Sequence, residues 1–177
     1  MKKKNFWHPG NLSQIALMVA FLSVCAWITV PTPVPFTLQT FGIFFAVGIL
    51  GGKKGTACIF VYLLLGLVGA PVFSGFSGGI GHFMGNTGGF LIGFFLAALT
   101  FWCLEILFAK KIMLFSMILG LVLCYLVGTV WFMFLTNMEQ GGFFSFLAIH
   151  VLPLLIPDIF KVSLAYFLCK RVKILRS

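Results

Sequence analysis

Two charged residues, Asp158 and Lys161, interrupt an apolar stretch near the end of this 177-residue sequence. They are three positions apart, so on a helix both side chains share one face and pair with each other. An ionisable residue inside a transmembrane segment is costly and indicates a functional site. An ammonium group suits an anionic ligand such as a carboxylate, and a carboxylate accepts hydrogen bonds from ligand N–H groups. The pair predicts a site for a small zwitterion, or for a molecule with both an amide and an acid.

Two other interpretations of this pair come from different functional classes. In a purely structural membrane subunit it would be an ion pair between helices, although a buried pair is weak evidence for stability because desolvation offsets the attraction. In an intramembrane enzyme Asp158 would act with His150, but no paired carboxylates, nucleophile motif or metal set supports this. The histidines are too scattered for a metal site, so we expect a protein without a cofactor that is not an enzyme.

The composition identifies the class of protein. The chain is 61% hydrophobic and 8% charged, with a mean hydropathy of +1.14, which a water-soluble core could not accommodate. The net charge of +9 does not indicate nucleic acid, because the basic residues cluster at the ends of apolar spans. The five cysteines are scattered and are interpreted as small hydrophobic residues. We expect an integral membrane protein in contact with lipid.

Apolar segments of about 20 residues cross a bilayer as helices. The sequence predicts an all-α membrane protein in a single domain, with Pro153 and Pro157 breaking or shortening the last helix. Eleven of the twelve basic residues lie in the termini and in the connections after the second and fourth spans, which places both termini in the cytoplasm. The lysine-rich N-terminus precedes a first span that is retained, not a signal peptide. The six predicted spans cover residues 12–30, 38–51, 56–70, 89–109, 113–135 and 155–169.

Two connections without lysine or arginine lie on the outer side. One is proline-rich, residues 31–39, and the other is glycine-rich, residues 74–89. The second is either a flexible turn or, with the first, a lid over a ligand cavity. The chain has no phosphate-binding loop of the nucleotide-binding type. Four aromatic residues near the outer face are candidates to line the cavity: Phe36, Phe73, Tyr125 and Trp131. Taken singly, each such residue is more often part of a core than of a binding site.

Small residues at four-residue spacing predict close helix packing. Gly85, Gly89 and Gly93 recur in this way, as do Ala16 and Ala20 in the first span. Packing inside the protein is the simpler explanation for any one pair. The two alanines are also placed to face a separate membrane subunit.

Several motifs carry a family resemblance: residues 62–73 (YLLLGLVGAPVF), 85–94 (GNTGGFLIGF), 33–39 (PVPFTLQ) and 157–161 (PDIFK). In this order the chain resembles the BioY family, the biotin-binding S components of energy-coupling-factor transporters. The resemblance implies a six-helix protein of the bacterial cytoplasmic membrane that captures biotin with high affinity. Transport then requires a transmembrane coupling subunit and two ABC-type ATPases. A stand-alone biotin facilitator and an S component for another small carboxylate-bearing vitamin remain open.

The resemblance also implies roles for particular residues. Asp158 would bind the ureido N–H groups of biotin, and Lys161 its carboxylate. Thr37 and Gln39 would belong to the loop that covers the site, and Ala16 and Ala20 would contact the coupling subunit. Asn86 stands where the family commonly has proline, so it either binds the ureido group or caps the next helix. The remaining substrate-binding candidates are Phe36, Phe73, Gly88, Gly89, Tyr125 and Trp131.

Overall fold

The computed structural model describes residues 8–30, 36–108, 112–136 and 152–174, and most of them are helical. Strands β1 (Thr29–Val30) and β2 (Phe36–Thr37) form a short antiparallel ribbon, in which Thr29 pairs with Thr37. Apart from this ribbon, the regular elements of the described residues are helical. The prediction of a mainly helical protein is confirmed. The helices of the described part are α1 (Pro9–Trp27), α2 (Gln39–Leu50), α3 (Gly52–Leu67), α4 (Ile80–Met84), α5 (Gly88–Phe108), α6 (Met113–Thr136) and α7 (Leu152–Ile174).

Three of these helices are long and apolar enough to cross a membrane by themselves. They are α1, α5 and the Met113–Leu135 part of α6. Helices α2 and α3 have 12 and 16 residues, and α7 carries Asp158, Lys161 and the basic residues near its end. The count of six spans stays a prediction, as does the position of the termini.

Helices α5 and α6 contact each other extensively, and glycine makes this contact possible. A Cβ atom at Gly93 would lie 2.9 Å from the Cα of Cys124, and one at Gly120 would lie 3.1 Å from the Cβ of Ala97. Such short spacings leave no room for a side chain, so the two helix backbones approach closely. The prediction of internal packing at Gly93 is confirmed. The aromatic and aliphatic core of α2 and α3 lies beside this pair, with Phe44, Ile59 and Tyr62 almost fully buried.

The last helix corrects the sequence prediction. Pro153 and Pro157 were expected to break or shorten it, and a break at Pro157 is wrong, because α7 runs without interruption from Leu152 to Ile174 with Pro157 inside it. Pro153 is the second residue of α7, and shortening of the helix at that proline stays a prediction. Pro157 is the sixth residue of α7, beyond the first four N–H groups that have no intrahelical partner, so its missing N–H removes one backbone bond. Helix α7 packs along α2. Asp158 and Lys161 consequently lie in the second and third turns of a continuous helix.

The connection between α2 and α3 is shorter than the span boundaries predicted. It consists of Gly51, whose φ of 80° lies in the left-handed region that favours glycine. The carboxylate of Glu105 on α5 accepts a hydrogen bond from the N–H of Gly52 at 2.5 Å. An acidic group at the first turn of a helix is favourable because it meets unpaired N–H groups. Lys53 and Lys54 therefore belong to the start of α3.

The glycine-rich segment between α3 and α5 is folded and contains α4. The indole N–H of Trp27 at the end of α1 donates to the carbonyl of Pro71 at 2.8 Å, and its ring stacks on Phe76 at 4.8 Å. The backbone of Phe73 also bonds to that of Ser77. The segment is thus attached to the end of α1, and it is not a loose turn.

Candidate binding site

A cavity lies among α2, α5, α6 and α7, and β2 and the α3–α5 connection complete its wall. Both predicted lid segments contribute, since Phe36 comes from the first and His82 from the second. Both segments therefore border a cavity, and their role as a lid over a ligand stays a prediction. Its apolar wall consists mainly of Phe90, Leu91, Phe94, Leu121 and Leu154.

Asp158 is the charged residue of the cavity wall, and its carboxylate is held on both oxygens. Tyr125 of α6 donates its hydroxyl hydrogen to Oδ2 at 2.8 Å, and Thr40 of α2 donates to the same oxygen at 3.1 Å. Lys161 donates to Oδ1 at 2.6 Å. A carboxylate has about four acceptor positions. Three donors therefore orient Asp158 and leave about one position for a ligand.

Lys161 lies behind Asp158 and does not contribute to the cavity wall. Its ammonium group donates to Asp158 and, at 2.6 Å, to the backbone carbonyl of Thr37. The same nitrogen lies 3.6 Å from the centre of the Phe36 ring, a cation–π contact. Only 5% of Lys161 and 6% of Asp158 is exposed, so the charges neutralise each other inside the protein. We call Thr40, Tyr125, Asp158 and Lys161 the charged cluster.

A second hydrogen-bonded chain fixes Gln39, which also lines the cavity. Its side-chain NH₂ group donates to the hydroxyl of Tyr62 at 3.0 Å, and Tyr62 donates in turn to the carbonyl of Val72 at 2.9 Å. The hydroxyl of Thr37 accepts from the N–H of Gln39 at 3.1 Å. Since the NH₂ group is used, the amide oxygen of Gln39 remains an acceptor at the cavity.

The α3–α5 connection supplies a different set of polar residues, Ser74, His82 and Thr87, which we call the loop cluster. The ring of His82 stacks on Phe73 at 5.2 Å, and its Nδ1 lies 3.1 Å from the hydroxyl of Ser77. His82 lies outside the membrane-spanning segments, and partial burial lowers the pKa of its ring below the ordinary value.

The structure separates the predicted site residues into two sets. Phe36, Thr37, Gln39, Tyr125 and Asp158 line the cavity together, and Lys161 supports them from behind.

The other candidates lie off the cavity wall. Asn86 is exposed, and Trp131 donates its indole N–H to the carbonyl of Gly85 at 3.1 Å. Gly89 packs against Trp131, and Phe73 is buried behind His82. Gly88 is likewise buried in the first turn of α5. Contacts of these residues with a ligand remain predictions.

Ala16 and Ala20 are exposed on α1, beside Leu17, of which 73% is exposed. This face of α1 is covered by no other described part of the chain. It is available to another membrane component.

Sequence reasoning missed Thr40, Ser74 and Thr87 and did not assign a ligand role to His82. Threonine and serine are common in apolar helices and carry no signal by themselves. His82 had a usable signal, because it is the titratable residue of a glycine-rich segment on the lysine-free side. Among the described residues, no group of three or more histidine, cysteine or acidic side chains is placed to hold a metal ion.

A family model described as the BioY family matches residues 1–177. A protein of Pyrococcus horikoshii, named as a probable biotin transporter BioY, is 40% identical over 92% of this chain and 96% of its own length. The biotin transporter BioY of Thermotoga maritima is 35% identical over 92% of this chain and 95% of its own length. Both likenesses extend over nearly the whole chain.

The fold also matches a solved structure. It is similar to a crystal structure of the S component for biotin from an ECF-type ABC transporter, with a TM-score of 0.82 and 29% identity. The match covers 93% of this chain and 90% of that one.

Proposed function

The chain belongs to the BioY family, and from that premise we propose that it captures biotin in the cell membrane as the S component of an energy-coupling-factor transporter. The observation that carries the proposal is Asp158, an oriented carboxylate in the wall of a mainly apolar cavity. Its relatives are transporters, so the chain acts as a transporter subunit and not as an enzyme.

The membrane arrangement that fits this function has six spans in one domain, formed by α1, α2, α3, α5, α6 and α7. The short helices α2 and α3 pack against their neighbours, which bury 8 of the 12 residues of α2 and 8 of the 16 residues of α3. Lys53 and Lys54 at the α2–α3 junction and Lys170 and Arg171 near the end of α7 support a cytoplasmic position for that side. Both termini are then inside, and the cavity opens outward.

The biotin ureido group contains two N–H donors and one carbonyl acceptor. Asp158 has about one acceptor position left, and the amide oxygen of Gln39 offers another. These two acceptors suit the two N–H groups, while Phe90, Leu91 and Phe94 suit the apolar part of the ligand. Binding of ligand N–H donors by the buried carboxylate of Asp158 gives specificity. A ligand without N–H donors would leave the remaining acceptor position of this carboxylate without a hydrogen bond.

Strand β2 borders the cavity, and we expect it to move when the ligand enters. Thr37 is attached to Lys161 through its carbonyl, and Phe36 covers the same ammonium group. Both residues also line the cavity, so they form part of its cover. Opening of the β1–β2 ribbon would break two contacts of Lys161 and retain its ion pair with Asp158.

Uptake against a gradient requires an energy source, and we assign it to a transmembrane coupling subunit and two ABC-type ATPases. The exposed face of α1 with Ala16 and Ala20 is the proposed contact surface, since small residues allow close approach of another helix. Replacing Ala16 or Ala20 with leucine is expected to reduce uptake and leave biotin binding unchanged. Unchanged uptake in cells without the coupling subunits would instead support the stand-alone facilitator.

The decisive experiment is a biotin titration of the purified protein in detergent. Wild type should bind, and Asp158→Asn should lose about ten- to a hundredfold in affinity, which corresponds to one charge-assisted contact. Lys170→Met, an exposed change on the same helix, is the matched control and should bind normally. Competition by another carboxylate-bearing vitamin such as pantothenate tests the alternative ligand. Absence of biotin binding by the wild type would overturn the assignment.

A further inference from the structure

The charged cluster has little capacity left for a ligand acid. The ammonium group of Lys161 contacts Asp158, the carbonyl of Thr37 and the ring of Phe36, and Lys161 does not line the cavity. A carboxylate that reached it would have to displace a buried contact. It would also lie beside the carboxylate of Asp158, and two like charges at that distance repel each other.

The short distance between Asp158 and Lys161 also argues against binding of a ligand acid at the charged cluster. The nitrogen of Lys161 and the nearer oxygen of Asp158 are 2.6 Å apart, so the two residues present a single polar position. The ureido ring and the carboxylate of biotin are separated by an apolar chain. One ligand cannot place both groups at this position, and if the ureido group binds there the acid must bind elsewhere.

Among the described residues of the cavity wall, His82 is the one whose side chain can carry a positive charge. Ser74 and Thr87, on the same connection, add two hydroxyl groups to the wall. From these contacts we propose that the loop cluster binds the carboxylate of the captured ligand, with His82 as its main partner. The inference rests on the proposed function and assigns its acid-binding residues.

The local geometry suits a charged imidazole ring. Ser77 donates its hydroxyl hydrogen to the carbonyl of Ser74 at 2.7 Å, so it accepts from Nδ1–H of His82. In the protonated ring Nε2 carries the other hydrogen and is left for the ligand. Stacking on the buried ring of Phe73 fixes the plane of the imidazole. A carboxylate beside this ring favours its protonated form, so binding takes up a proton from solvent.

The test compares biotin with its carboxamide, in which a neutral amide replaces the acid. Wild type is expected to prefer biotin, and His82→Gln is expected to weaken biotin by about ten- to a hundredfold while binding of the carboxamide changes little. Lys161→Met should weaken both ligands by the same factor, because Lys161 acts through Asp158. His8→Gln, at the exposed start of α1, is the matched control and should resemble wild type.

Two further variants keep the test valid if His82→Gln does not fold. Thr87→Val and Ser74→Ala should each reduce the preference for biotin by a smaller factor. The proposal is overturned if loop-cluster variants keep the full preference, if Lys161→Met alone removes it, or if wild type binds both ligands equally. Failure of wild type to bind either ligand would instead contradict the proposed function, so the two failures are distinguishable.

Discussion

The charged cluster and the loop cluster line the same cavity but are stabilised in different ways. In the charged cluster, Asp158 and Lys161 neutralise each other, and helices α2, α6 and α7 hold them. In the loop cluster, His82 lines the cavity with the neutral residues Ser74 and Thr87 on a connection between helices, and the hydrogen bond of Thr87 to the carbonyl of His82 is long at 3.5 Å. The first cluster is formed before the ligand arrives. The second retains hydrogen-bonding capacity that a ligand can use.

The largest expected effect tests the internal pairing of the charged cluster. Asp158→Asn leaves the ammonium group of Lys161 buried without its counter-ion, which should cost about 3–5 kcal/mol in the free energy of unfolding. The double variant Asp158→Asn/Lys161→Met removes the stranded charge and should be more stable than Asp158→Asn alone. Thermal unfolding in detergent measures both.

Lys170→Met is the control for this comparison, because Lys170 is exposed on α7 and should change stability by less than about 0.5 kcal/mol. If Asp158→Asn is as stable as wild type, the ion pair is not what holds the cluster. Equal stability of the single and double variants would lead to the same conclusion.

A smaller effect separates the two donors to Oδ2 of Asp158. Tyr125→Phe removes the shorter hydrogen bond, at 2.8 Å, and should lower biotin affinity by about ten- to a hundredfold, since a charge-assisted bond contributes about 1.5–3 kcal/mol. Thr40→Val removes the bond at 3.1 Å and should have a smaller effect. Titration with biotin measures both, and Tyr166→Phe is the control because Tyr166 packs on Phe167 away from the cavity wall. Normal binding by Tyr125→Phe would show that Asp158 needs no such orientation.

The sequence was informative where a residue type was unusual for its surroundings. Asp158 and Lys161 were identified because charges are rare in apolar helices, and their partnership followed from a spacing of three. Thr40 could not be identified, because its role depends on α2 packing against α7, a contact between residues that are 118 positions apart. Pro157 gave a wrong boundary because the cost of a proline depends on its distance from the start of the helix.

A still smaller effect is expected at Phe36, whose ring covers the ammonium group of Lys161. Phe36→Leu removes the cation–π contact with Lys161, which contributes about 0.5–2 kcal/mol, and should accelerate biotin release by about 2- to 30-fold. Release of labelled biotin after dilution measures the rate. Phe76→Leu is the matched control, since Phe76 stacks on Trp27 and is not part of the cavity wall. An equal rate in both variants would mean that Phe36 does not hold the ligand.

The smallest expected effect is the pH dependence of stability that His82 of the loop cluster contributes. Burial lowers the pKa of His82, so the unfolded chain takes up this proton at a higher pH than the folded chain. The stability that the neutral ring contributes is present above the unfolded pKa of about 6.5 and declines as the pH falls through it. The melting temperature of the ligand-free protein should fall from about pH 7 to pH 5, and less steeply in His82→Gln. Identical slopes in the two proteins would contradict this.

Some of the predicted residues lie off the cavity wall, and their contacts with a ligand stay predictions. Asn86 was chosen because it departs from the family motif, yet its side chain is exposed. Trp131 was chosen as an aromatic residue near the outer face, but its indole bonds to the backbone of Gly85. A motif fixes where a residue lies along the chain. The direction of its side chain depends on packing between helices, which the sequence does not show.

The contact between Lys161 and the carbonyl of Thr37 has a consequence for how this protein can vary. Every amino acid supplies a backbone carbonyl, so residue 37 can change without releasing the lysine. An alanine scan would therefore not detect this bond, although it would detect loss of the lysine. The bond depends on the path of the backbone, so an insertion or deletion between β1 and β2 is more disruptive than a substitution. Length, and not residue identity, is the property of this ribbon that selection can be expected to preserve.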